Sequence, residues 1–141
     1  MSLLSWTALG AYRDYGLLLM RVGLGTMMVI HGGPKVMGGP EVWASLGGAM
    51  GAIGVYTAPV FWGAAAAFTE AIGGALVVLG LATRPAALLI VITMVVAAAM
   101  HLGRGDGISG ASHAIEVGFA YLGLLFVGPG RFSIDVRRSR S

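Results

Sequence analysis

Four long apolar runs, nearly empty of charge, decide what this chain can become. They cover about residues 15–30, 59–81, 85–101 and 112–127. A helix crosses the hydrocarbon core of a bilayer with about 20 apolar residues. The second run is long enough by itself; the first and fourth borrow flanking residues such as Tyr12 and Gly128. The expected fold is therefore an all-α integral membrane protein, a single membrane domain over residues 1–141 built as a four-transmembrane-helix bundle. Composition agrees. Apolar residues make up 57% of the chain and charged ones 11%, whereas a water-soluble domain needs roughly a quarter of its residues charged. The 24 glycines would weaken a helix in water, by about 1 kcal/mol each relative to Ala. In lipid the backbone must satisfy its own hydrogen bonds, and small residues let helices approach closely.

Other classes fall away quickly. With no cysteine there is no disulfide framework, dithiol relay, thiolate metal site or covalent haem attachment. The net charge of +3 comes mostly from Arg131, Arg137, Arg138 and Arg140, a basic tail flanking a membrane span, so no nucleic-acid partner is expected. The first fourteen residues, ending in Arg13-Asp14, lack the basic, apolar and small-residue pattern of a cleaved signal peptide.

Between the first two runs lies a Gly-rich stretch, residues 31–58, too apolar for a water-facing loop yet broken by Pro34 and Pro40. It reads as a short interfacial or re-entrant helix with Trp43 at headgroup depth. Gly32-Gly33-Pro34-Lys35 is a fragment of a phosphate loop without its remainder; it reads as a chain reversal that sets Lys35 at the rim. Ala82-Thr83-Arg84 is short enough to make the second and third helices a hairpin. Four spans put both termini on one side with Arg13, Arg84 and the basic tail, against Lys35 and Arg104 on the other. The positive-inside rule then places both termini in the cytoplasm, and His31, His101 and His113 near the outer surface.

Charges within the runs are the most informative residues. An ionisable group at mid-membrane costs about 2.5–3.5 kcal/mol even on a lenient scale, so it turns inward toward a partner. Arg21 and Glu70 lie at matching heights, and an Arg–carboxylate pair would satisfy both. Around Glu70 the helical neighbours are Ala66, Ala67, Gly73 and Gly74, a face that admits another helix closely. Such a polar core either binds a ligand head group and passes protons, or is an ion pair that locks two helices. His113 and Glu116 share a helix face, and His31 and His101 end the first and third runs. They suit a proton relay to a quinone, a metal, a haem with two imidazole ligands, or plain hydrogen bonding at the interface.

Leu19-Met20-Arg21-Val22-Gly23-Leu24-Gly25 followed by His31-Gly32 and Lys35 resembles the opening motif of the DoxX family. Glu70-Ala71-Ile72-Gly73-Gly74 and Leu79-Gly80-Leu81-Ala82-Thr83-Arg84 resemble its second-helix motif and turn. Glu116 and the ending Gly128-Pro129-Gly130-Arg131-Phe132-Ser133-Ile134-Asp135 look like its C-terminal signature, whereas His113 and Trp43 stand outside the pattern. The resemblance implies a bacterial inner-membrane protein related to quinol oxidase and thiosulfate:quinone oxidoreductase subunits, many of whose relatives have no established activity. On this reading Glu70, Glu116 and Arg21 are the candidate catalytic residues, and His31, Lys35 and His101 bind a quinone or quinol head group. Haem and metal are the weaker alternatives, and no metal ligand set is assigned. Partner subunits or a homo-oligomer would complete the assembly in the lipid bilayer. The competing readings are a non-catalytic assembly subunit docking a larger respiratory complex, and a small oligomeric transporter.

Overall fold

The computed structural model describes residues 6–139, so Arg140 of the basic tail lies outside the described residues. Four helical stretches are long and apolar enough to cross a membrane: Leu9–Met37, Pro59–Leu79, Thr83–Gly103 and Gly107–Val127. A 3-10 turn, Trp6–Tyr12, leads into α1 (Arg13–Met37), followed by α2 (Gly39–Gly47) and a second 3-10 turn, Gly48–Ile53. The next span has three parts: α3 (Pro59–Phe68), a π-helical turn (Thr69–Gly73) and α4 (Gly74–Leu79). Then come α5 (Thr83–Gly103), α6 (Gly107–Val127) and a short α7 (Ile134–Arg138).

The first helix does not reverse at Gly32-Gly33-Pro34-Lys35 but runs through them to Met37. In lipid an unwound segment strands backbone groups, and Gly32 is held between turns of the neighbouring helix. A Cβ on it would lie 2.4 Å from the Ala71 nitrogen and 2.8 Å from Glu70 Cβ. The chain turns instead at Gly38-Gly39, where Gly39 takes a φ of +71°, a left-handed conformation that glycine adopts without steric penalty.

The segment after this break is helical, as expected, but it does not lie alone at the interface. α2 runs antiparallel to α3 and packs closely on it. A Cβ on Gly63 would lie 1.7 Å from the Trp43 carbonyl oxygen, and one on Gly47 would lie 1.8 Å from that of Pro59. Trp43 has a second role inside the protein. Its indole N–H donates to the Lys35 carbonyl, 2.9 Å away, and its ring tilts against Phe68 with centroids 5.9 Å apart. The break frees that carbonyl from its helical ladder, and Trp43 supplies the missing donor.

Together α1 and α2 line the whole of the second span, with Gly25 against Gly74 and Val78 nearer its other end. Glycine abundance is thus used to bring backbones together. α5 and α6 pack on each other as an antiparallel pair, and Met28, Val77, Ile90, Met94, Tyr121 and Leu124 join this pair to α1 and the second span in one core. Leu19, Phe119 and Phe126 are 77%, 70% and 76% exposed, which only an apolar solvent makes favourable. α6 ends beside the start of α1, where an Arg13 N–H reaches the Val127 carbonyl, so both termini emerge at one end of the bundle.

Candidate functional site

The second span changes winding where its charge lies. Thr69–Gly73 forms a π-helical turn, and Glu70 is within it, about midway between Pro59 and Leu79. Such turns widen the helix at the expense of regular hydrogen bonding and recur at functional sites. The Glu70 side chain is 4% exposed and receives the Lys35 ammonium on both carboxylate oxygens, at 2.7 and 2.5 Å. The partner of Glu70 is therefore Lys35, not Arg21. The continuation of α1 past Pro34 explains it, because the unbroken helix keeps Lys35 alongside the second span, next to the Glu70 turn.

One turn below Lys35 on the same helix is His31, and its ring meets that of His113 on α6 with centroids 5.5 Å apart. Both imidazoles are exposed on the bundle surface, as is Glu116, one turn further along α6. Residues three or four apart share a helix face, so His31 and Lys35 connect the buried ion pair to the lipid-facing His113 and Glu116. Among the described residues Glu116 has no hydrogen-bond or ion-pair partner. Apart from the histidine contact and their join near the termini, α1 and α6 do not pack closely along their length. His31, His113 and Glu116 thus stand exposed on the surface seam where α1 and α6 meet.

His101 does not join them. Its Nδ1 is 2.8 Å from the Asp106 carboxylate, in the loop that connects α5 to α6. Among the described residues no three His, Asp or Glu side chains gather tightly enough to hold a metal ion.

Arg21 is also buried, 1% exposed, but at the end of the bundle that carries both termini. It donates to the Pro129 carbonyl at 2.8 Å and the Phe132 carbonyl at 2.9 Å, pinning the loop that follows α6. Asp135 completes this fastening, its carboxylate accepting the N–H groups of Ala82 and Thr83 at 2.7 and 2.9 Å. A residue from the other end of the chain thereby caps α5, whose own N-cap residue, Ala82, has no side-chain oxygen. Burial pushes the Asp135 carboxyl up, but the two N–H donors and the nearby Arg138 charge outweigh it and hold the acid below its ordinary 3.8. A carboxylate depressed by folding stabilises above its unfolded pKa and loses that contribution as pH falls through the folded value. Asp135→Ala is expected to lower stability by about 1 kcal/mol at neutral pH. Acid titration of thermal unfolding checks it: the difference from the unmodified protein should shrink below about pH 4.

Sequence reasoning missed two contributors. Trp43 carries an indole N–H, which needs an acceptor wherever it is buried, and that need was the available signal. Asp106 gave a weaker one, since only the loop geometry brings it onto His101. A sequence model of the DoxX family matches residues 16–102. The matched stretch includes Arg21, His31, Lys35, Glu70, Arg84 and His101, and stops before His113, Glu116 and Asp135. No curated protein and no solved structure matches the chain.

Proposed function

Because this chain belongs to the DoxX family and has four helices suited to spanning a bilayer, we propose that it is the membrane subunit of a quinone-linked oxidoreductase. The observation that carries this reading is a buried Glu70–Lys35 pair on a π-helical turn, adjoining a His31–His113 contact on a lipid-facing seam. A quinone reaches its protein through the hydrocarbon, so a polar site open sideways to lipid suits it. His31 or His113 donates a hydrogen bond to a head-group carbonyl. Glu116 and Glu70 exchange the two protons that accompany two-electron reduction, with Lys35 holding the Glu70 carboxylate in place. The chain has no cysteine to ligate an iron–sulfur centre, and we assign the electrons to a donor on a partner subunit. The protein lies in a bacterial inner membrane with both termini cytoplasmic, as the arginines near that end favour.

The experiment is binding of a short-chain quinone to the purified protein in lipid nanodiscs. Saturable binding is expected, weakened about tenfold by His31→Ala, the equivalent of one hydrogen bond. Absence of saturable binding to folded protein, with quinone-dependent respiration unaltered by Glu70→Gln and Glu116→Gln, would sink the proposal. One observation favours a second reading, a docking subunit of a larger membrane complex. Glu116 faces outward near the middle of α6 without a partner among the described residues, and a neighbouring protein carrying a donor would cover it.

A further inference from the structure

At the end of the bundle that carries both termini, three arginines from separate elements surround an open basin of about 700 Å³. Arg13 opens α1, Arg84 lies in the first turn of α5, and Arg131 follows the Gly128-Pro129-Gly130 turn. Two carboxylates also line it, but backbone amides engage both. Asp135 takes the N–H groups of Ala82 and Thr83, and Asp14 takes that of Arg131 at 3.0 Å, with the Arg131 guanidinium more distant at 3.9 Å. The arginines are less fully used. Arg13 gives one N–H to Val127 and Arg84 gives its Nε–H to Leu125, both to uncharged carbonyls. The remaining N–H groups of the Arg13 and Arg84 forks have no acceptor among the described residues, and neither guanidinium is in an ion pair there.

Position sets the ligand class. The basin sits where α6 ends at Val127 and α5 begins at Thr83, the level at which a spanning helix leaves hydrocarbon. Arg84 also stands in the first turn of α5, where the dipole disfavours a cation and favours an anion. The geometry points to a phosphate-binding site, used by the head group of an anionic phospholipid or by a free phosphate anion. The chemistry is common to both: a compact oxyanion with several acceptors, held by guanidinium forks from α1, α5 and the loop after α6. This site is separate from the seam proposed for quinone.

Native mass spectrometry of the full chain in detergent, with equimolar phosphatidylglycerol and phosphatidylcholine, tests it. The unmodified protein should retain phosphatidylglycerol preferentially. Arg84→Gln and Arg131→Gln should each reduce that preference about fivefold, whereas Arg104→Gln, at the opposite end, should leave it intact. A second arm adds inorganic phosphate without lipid and follows thermal unfolding. Protection by phosphate alone that Arg84→Gln abolishes identifies a free anion, and lipid selectivity without such protection identifies the head group; either supports the site. Equal retention of the two lipids by the unmodified protein, together with no protection by phosphate, overturns the proposal. So does a preference that survives the Arg84→Gln, Arg131→Gln double variant.

Discussion

Lys35→Met should destabilise the protein by about 3–5 kcal/mol, because it leaves the Glu70 carboxylate buried without its counter-charge. Glu70→Leu should do less harm. The Lys35 side chain is 32% exposed against 4% for Glu70, so a released ammonium can turn its stem toward a polar surface. Replacing both, Lys35→Met with Glu70→Leu, should restore stability to within about 1 kcal/mol, since two apolar groups of similar volume remove both desolvated charges together. Reversible unfolding in mixed micelles measures all three. Additive losses in the double variant would show that the two residues do not act as a pair.

The same double variant separates the two functional readings. If the pair only fixes the register of α1 on the second span, the refolded variant should still support the complex in cells. If Glu70 exchanges protons with a bound quinone, the variant should fold and dock yet fail in quinone reduction. Stability is the same in both cases and turnover differs, so one folded protein separates them, which neither single substitution can do.

Much of the bundle was legible because the membrane imposes it. Four apolar runs had to become helices, the short Ala82-Thr83-Arg84 connection had to make a hairpin, and buried charge had to turn inward; Arg21 and Glu70 are both interior. The pairing was not legible, and the reason is local. Gly32, Gly33 and Pro34 carry poor helix propensities, and those propensities end the helix on paper. Backbone confinement in lipid and the fit of Gly32 against Ala71 override them. That error took Lys35 away from the Glu70 turn and left Arg21 as the apparent partner of Glu70. The π-helical turn was equally hidden, since no residue type specifies it. His31 and His113 shared a depth in the sequence, but their contact depends on how α1 and α6 are arranged. For His101 the competing partner was five residues away, at Asp106.

Arg21→Met should cost about 3–6 kcal/mol and act at one end of the bundle only. Two charge-assisted hydrogen bonds, to the carbonyls of Pro129 and Phe132, disappear in a position that is 1% exposed, at about 1.5–3 kcal/mol each. Arg21→Lys should rescue little, because a single ammonium cannot span the two acceptors that a planar fork reaches together. Hydrogen exchange distinguishes this from a loss at the proposed quinone site. The Asp135 amide donates to the Gly80 carbonyl, and those of Ala82 and Thr83 donate to the Asp135 carboxylate. All three should exchange faster once the loop is released, while amides of α1 around Gly32 keep their protection. Unchanged exchange at residues 80–83 and 133–136 would mean that the loop is held without Arg21. With faster exchange there and undiminished quinone binding, Arg21 is a fastening for the α6 exit and the start of α5, and the proton chemistry belongs to Glu70 and its neighbours on the seam.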